Sequence, residues 1–337
     1  MAAQDIAYVE LYTSDMPSAV RYFVSSLGFT PMAECGGDDS RSSLLRHGTV
    51  QLVVTAGREA EEFIEAHGDG IADIAFGCDD PALTCERAVA AGASLISSAP
   101  GKLVISGFGD TRHTLVARSA GAVLPGDRAW KPFSEASARP GRIWLLDHVA
   151  ILVESGTLTD YADFCTEAFG LARYSGEYIE IGEQAMDSIV VRSPSGGITF
   201  TILEQDHSRK PGQVDGFISR YGGPGVQHLA FLVDDIVSAV REFSSQGIEF
   251  LHSPNAYYEM LAHRLPDIKE IAELRAANVL ADRDEWGYLL QLFTRSPYKR
   301  NTLFYELVQR RGARGFGTAN IRALYDAVER DESGTAG

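Results

Sequence analysis

Positive charge is in short supply in this chain. Thirty Lys and Arg stand against 46 Asp and Glu over 337 residues, a formal net charge of -16. That balance argues against nucleic acid or an anionic membrane surface as a partner, since both require clustered cations. It leaves a small anionic substrate open, because one local positive centre such as a metal outweighs a distant field. Long apolar runs are missing too. No stretch approaches the ~20 residues needed to span a bilayer, and no basic start leads into an apolar run of the secretory kind. Cysteine is sparse. Cys35, Cys78, Cys85 and Cys165 form no CxxC pair. Cys78 and Cys85, across an expected strand-to-helix turn, are the one weak pairing, and free thiols in a reducing cytoplasm are the expectation.

What remains is ordinary for a globular protein, with 45% hydrophobic and 23% charged residues, and the length suits about two domains. The informative feature is a repeat. Ile6-Ala7-Tyr8-Val9-Glu10 leads into a helix ending at Leu27-Gly28-Phe29, as Leu146-Asp147-His148-Val149-Ala150 leads into one ending at Phe169-Gly170-Leu171. Gly68 to Phe76 likewise matches Gly223 to Phe231. The alignment sets Tyr8 opposite His148 and Asp73 opposite His228, so shared apolar residues report a shared fold while chemistry is confined to one copy.

Each half reads strand, helix, strands, helix, strands. The first gives strands at 7–12 and 72–77, a hairpin over 44–54 turning at Gly48, a helix over 82–91, and closing strands at 103–105 and 113–116. The second gives strands at 149–153, 187–193, 198–203, 229–233, 288–293 and 303–308, with helices over 158–169 and 236–246. Residues 255–282 read as a helical insertion. Residues 119–142, rich in Gly, Pro, Ser and Ala, read as a linker packed through Trp130 and Phe133. The expected domains are therefore 1–118 and 143–337. The fold class is α+β, two tandem half-barrels whose concave sheets give inward side chains a common centre. A glycine-hinged amphipathic helix after Gly315-Phe316-Gly317, with Ile321, Leu324, Tyr325 and Val328 on one face, reads as a lid.

His47, His67, His113, His207, His252 and His263 read as core or surface residues. His148 and His228 differ, because each begins a strand and the other copy lacks a histidine there. Glu306, among apolar neighbours in Leu303-Phe304-Tyr305-Glu306-Leu307-Val308, is the best third ligand, since a buried carboxylate needs a metal or an ion pair. The competing partners are Arg310 and Arg311. Two imidazoles and a carboxylate suit non-haem Fe(II) with open positions, although a zinc hydrolase or lyase accepts the same donors.

At these residues the chain resembles the 4-hydroxyphenylpyruvate dioxygenase family of the vicinal oxygen chelate superfamily, from about residue 5 to 330. The motifs are Asp147-His148-Val149-Ala150, Val226-Gln227-His228-Leu229-Ala230, Leu290-Gln291-Leu292-Phe293-Thr294, Leu303 to Arg310, and Gly315-Phe316-Gly317 with Asn320. The resemblance implies glyoxalase-like βαβββ domains and Fe(II) held by His148, His228 and Glu306. It also implies an aryl 2-oxo acid and O2 as reactants, the oxo acid lying within the substrate so that no 2-oxoglutarate is needed. Ser188, Gln213, Gln227, Gln291 and Asn320 become polar pocket residues, and Phe293, Phe304 and Phe316 aromatic walls. Where the dioxygenases read Pro-x-Asn-Glu, this chain has Thr201-Ile202-Leu203-Glu204. Where they read Gly-Asn-Phe, it has Ala319-Asn320-Ile321. These departures resemble the 4-hydroxymandelate synthase branch. They place Thr201, Leu203 and Ile321 in the substrate pocket and imply that Leu203 and Ile321 let the aryl group sit differently, presenting the benzylic carbon in place of the ring. The rivals are a homogentisate-forming dioxygenase, a glyoxalase- or epimerase-like lyase, and a non-enzymatic binding protein of the kind that sequesters an antibiotic. The metal-free first half is the natural interface for a homodimer, which the sequence does not demand.

Overall fold

The computed structural model describes residues 3–37, 39–99, 102–118, 125, 128–133 and 141–323. Two mixed sheets form the frame. The first holds β1 (Ala3–Tyr12), β2 (Thr30–Gly36), β3 (Ser40–His47), β4 (Val50–Gly57), β5 (Gly70–Cys78), β6 (Leu95–Ala99), β7 (Lys102–Gly107), β8 (Gly109–Ala117) and the short β9 (Lys131–Pro132), in the order β6-β7-β8-β5-β1-β4-β3-β2-β9. The second holds β10 (Ile143–Val153), β11 (Ala172–Ile181), β12 (Gln184–Arg192), β13 (Thr199–Gln205), β14 (Gly225–Val233), β15 (Leu280–Arg283), β16 (Tyr288–Phe293) and β17 (Phe304–Arg311), in the order β11-β12-β13-β10-β14-β17-β16-β15. The helices are α1 (Met16–Arg21), α2 (Glu61–His67), α3 (Pro81–Ala90), α4 (Leu158–Phe169), α5 (Gln213–Tyr221), α6 (Ile236–Ser245), α7 (Asn255–Arg264) and α8 (Ile271–Ala276). A last helix begins at 318.

Each sheet is itself two βαβββ units joined at their first strands. In the second sheet β10 and β14 run antiparallel at the centre, and each pairs in parallel with the closing strand of its own unit, β13 or β17. The first sheet repeats this with β1 and β5 at the centre and β4 and β8 closing. The central strands carry apolar residues on both faces because both are covered: helices lie on one side and the barrel interior on the other. Leu158, Ala162, Cys165, Ala168 and Phe169 of α4 recur at helical spacing and are buried. Gly170 ends that helix at φ +70°, a conformation open to glycine. The halves meet through aromatic side chains, with Phe76 edge-on to Phe169 at 4.9 Å and Phe23 edge-on to Tyr305 at 5.3 Å.

Several elements went unread in the sequence. β2, β6, β11, α2 and α5 were not expected, and the 255–282 insertion ends in strand β15. β11 is exposed over most of its length, so it lacks the alternation that would betray a strand. The helix after Met16 changes to a π-helical turn over Tyr22–Ser26 before Gly28. In the linker, Trp130 packs beneath Tyr8 and Ala33, while Phe133 is exposed; most of 119–140 lies outside the described residues. So do Leu324, Tyr325 and Val328 of the lid. All four cysteines are buried and free, Cys78 and Cys85 included. No helix among the described residues is long and apolar enough to cross a membrane.

Candidate metal centre

The pairing of β10 with β14 fixes where the histidines go. Val149 pairs with Leu229, His148 with Ala230, and Ala150 with His228. His148 and His228 therefore occupy equivalent places in their two units, both facing the barrel interior, with ring centroids 5.6 Å apart. On the closing strand β17, Glu306 pairs with Ala230. Its counterpart on β13 is Thr201, which pairs with Ala150. The fold thus supplies four inward positions around one point. Three carry good metal donors, and the fourth carries a threonine, leaving that side open.

The donor atoms of His148, His228 and Glu306 all lie within 4.8 Å of one another, and this is the one such group found among the described residues. Oε2 of Glu306 stands 3.4 Å from Nε2 of His148 and 3.1 Å from Nε2 of His228. Glu306 is only 1% exposed, and its ion-pair contacts are the two histidines, not the competing arginines. Arg310 grips Asp147 and Arg311 grips Glu270. A buried carboxylate facing two imidazole nitrogens without a fixed cation is costly unless a positive ion joins it, so the donor set fits a divalent metal. Burial disfavours the charged form of His148, but Glu306 and Asp147 outweigh this and push its pKa up to about 9. Burial raises that of Glu306, and the two imidazoles more than offset it, holding the group near 2. Burial lowers His228.

Each ligand has a polar partner. Nδ1 of His148 donates to Oδ2 of Asp147 at 2.9 Å, and Nδ1 of His228 donates to Oε1 of Gln227 at 3.1 Å. Both partners sit at register shifts, between Leu146 and His148 on β10 and between Val226 and His228 on β14. These bulges turn a residue next in sequence towards its neighbour's ring. The first half keeps both shifts, at Ala7 and Ala72, where no side chain can orient anything. Nε2 of Gln291 donates to Oε1 of Glu306 at 2.7 Å, and Oε1 of Gln291 accepts from Nδ2 of Asn320 at 2.8 Å. Such partners fix which ring nitrogen is free for a metal.

The other expected site residues are placed as follows. Ser188, Thr201, Leu203, Gln227, Gln291, Phe293, Phe316 and Ile321 line one cavity with the three ligands. Phe304 stacks on the His228 ring at 4.9 Å. Asn320 is fully buried against Gln291 and Tyr257. Gln213 starts α5 and is not among the cavity residues. Ser175, Glu177 and Val190 line the cavity without having been expected; they come from β11 and β12. Asp147 and Gln227 did have a signal, a side-chain acceptor immediately before each histidine.

In the first half the positions equivalent to the ligands are Tyr8, Asp73 and Thr114. The Asp73 carboxylate accepts from the Thr114 backbone N–H at 2.9 Å and meets its hydroxyl. Arg128 of the linker pairs with Glu10 at 2.6 Å inside the same barrel.

Two tandem half-barrels with a His-His-Glu cluster in the second define a member of the Glyoxalase/Bleomycin resistance protein/Dioxygenase superfamily, whose profiles match residues 5–102 and 147–263. Within it the chain belongs to the 4-hydroxyphenylpyruvate dioxygenase family. It is 31% identical to the 4-hydroxyphenylpyruvate dioxygenase of Yarrowia lipolytica, over 97% of this chain and 91% of that protein. It is 33% identical to that of Pyricularia oryzae, over 82% of this chain and 72% of that protein. A solved triple mutant of 4-hydroxymandelate synthase from Streptomyces coelicolor superposes with a TM-score of 0.90. That chain is 54% identical, covering 98% of this chain and 99% of its own.

Proposed function

We propose that this chain binds Fe(II) through His148, His228 and Glu306 and converts 4-hydroxyphenylpyruvate, with O2, to 4-hydroxymandelate and CO2. The iron, when bound, would supply dioxygen activation coupled to loss of the substrate's carboxylate. The protein's part is placement and exclusion of water. The side at Thr201 brings no ligand and leaves room for the oxo acid. Phe293, Phe304 and Phe316 surround the triad with ring faces and edges, which keeps the site dry. Asp147, Gln227 and Gln291 hold the three ligands in fixed orientations before any substrate arrives.

The observation that carries the choice of product is the apolar pair Leu203 and Ile321 lining the same cavity as the triad. Leu203 offers no hydrogen bond to a ring substituent, and Ile321 offers no ring for stacking. An aryl group held by such walls is free to bring its benzylic CH2 to the reacting centre, and a displacement of ~1 Å suffices to redirect the outcome. The 54% identity to a 4-hydroxymandelate synthase, against 31–33% for the two dioxygenases, supports the same choice. The test is anaerobic reconstitution with Fe(II), addition of 4-hydroxyphenylpyruvate and then air, with oxygen uptake and chromatographic identification of the product. 4-Hydroxymandelate is expected. Homogentisate as the main product would refute the Leu203 and Ile321 argument, and no oxygen uptake would refute the oxygenase itself.

A further inference from the structure

Phe316 and Ile321 form part of the wall of the cavity that holds the triad. They belong to one segment, Gly315-Phe316-Gly317 leading into the helix that begins at 318. One side chain joins it to the metal ligands. Nε and Nη2 of Arg310 donate to the two oxygens of Asp147, each at 2.7 Å. Nη1 donates to the carbonyl of Gly315 at 2.7 Å. The guanidinium lies over the Phe316 ring at 5.0 Å, and that ring stands edge-on to His148 at 5.2 Å. Asp147 in turn holds Nδ1 of His148. A planar fork with fixed donor directions therefore has the ligand's orienting carboxylate on one edge and the lid's hinge on another.

We propose that Arg310 is a positioning residue that couples seating of the 315–317 segment to the orientation of His148, so that closing the lid and gripping the metal are one event. This rests on the metal assignment and is independent of which product forms. Coupling is reciprocal: metal binding should order the lid, and loosening the lid should weaken the metal. A lysine at 310 keeps the charge opposite Asp147 but loses the two-edged fork.

The experiment is a double-mutant cycle read by Co(II) titration, following the visible spectrum of the bound ion, on the native chain, Phe316→Leu, Arg310→Lys and the double variant. Arg310→Lys is expected to weaken Co(II) binding roughly 10- to 100-fold, the usual range for a lost outer contact to a ligand. Phe316→Leu is expected to weaken it several-fold in the native background and to add nothing once residue 310 is lysine. Losses that simply multiply would overturn the proposal, since Phe316 would then act on His148 directly. Hydrogen exchange of residues 313–323 in the native chain provides the second measurement and needs no variant to fold. Protection on adding Co(II) is expected, and unchanged exchange at saturating metal would overturn the proposal.

Discussion

At the scale of single residues, the site is a matter of which side chains share the space around the triad. Leu203 lines the cavity from β13 and Ile321 from the lid. If these two direct the substrate's aryl group, restoring the residues of the dioxygenases should redirect it. Leu203→Asn together with Ile321→Phe is expected to move product from 4-hydroxymandelate towards homogentisate. The product ratio, measured by chromatography at equal oxygen consumption, checks this. An unchanged ratio with normal turnover would mean that the pocket is governed elsewhere, for example by Ser175, Glu177 or Val190. Ser175 and Glu177 escaped the sequence because β11 exposes most of its residues and has no apolar rhythm. The ligands themselves were legible, since an internal repeat makes a lone histidine visible against its counterpart. Their orienting partners were half legible. Asp147 and Gln227 stand next to the histidines in sequence, but only the bulges explain how adjacent strand residues come to face the same way.

At the scale of elements, the lid depends on one glycine. Gly317 has φ +76°, and a Cβ there would lie 2.4 Å from Oε1 of Gln291, the amide that holds Glu306. Gly317→Ala should push the lid off its seat while leaving the barrels intact. A loss of kcat/KM of about 100-fold is expected, with little change in thermal midpoint; a full-activity variant would show that this close approach is dispensable. Helix α6 offers a simpler test of local structure. Asp235 caps it, with Oδ1 accepting from the Ser238 N–H at 3.2 Å. Asp235→Ala should cost about 1 kcal/mol in a denaturant melt. Helices such as α4 and α6 were readable because apolar spacing, caps and a terminal glycine agree along the sequence. α5 was not, since its capping glycine and short length gave too little pattern.

At the scale of the whole molecule, duplication explains how one half can carry a cluster of metal donors and the other none at the equivalent positions. Both sheets keep the same central strands and the same bulges, so the fold survives loss of the ligands. The first half instead buries His113 and Asp73, and these titrate in opposite senses. Burial lowers His113 to about 4 from 6.5. The unfolded chain takes up that proton first, so this group's contribution is lost as pH falls from 6.5 through 4. Burial, then the nearby Glu10, raise Asp73 to about 7 from 3.8. The folded form keeps a proton that the unfolded chain releases, so stability drops as pH rises from 4 to 7. Each effect is on the order of 3–4 kcal/mol. Relative to the native chain, His113→Leu should therefore gain stability as pH falls across that window, and Asp73→Asn should gain as pH rises. Denaturant melts of the metal-free proteins at pH 4.5, 5.5 and 7 would check both signs.

Metal should also hold the second half together. A ligand present at about 100 times its Kd stabilises the folded state by about 2.7 kcal/mol. Chelation is expected to lower the melting temperature of the loaded protein, and Glu306→Gln to abolish most of the shift. The most direct measurement is an anomalous-scattering map of crystals of the Fe(II)-loaded chain. The result expected is one iron per chain, bonded to Nε2 of His148, Nε2 of His228 and a carboxylate oxygen of Glu306. Iron held by other residues, or no iron between these three under saturating Fe(II), would contradict the account.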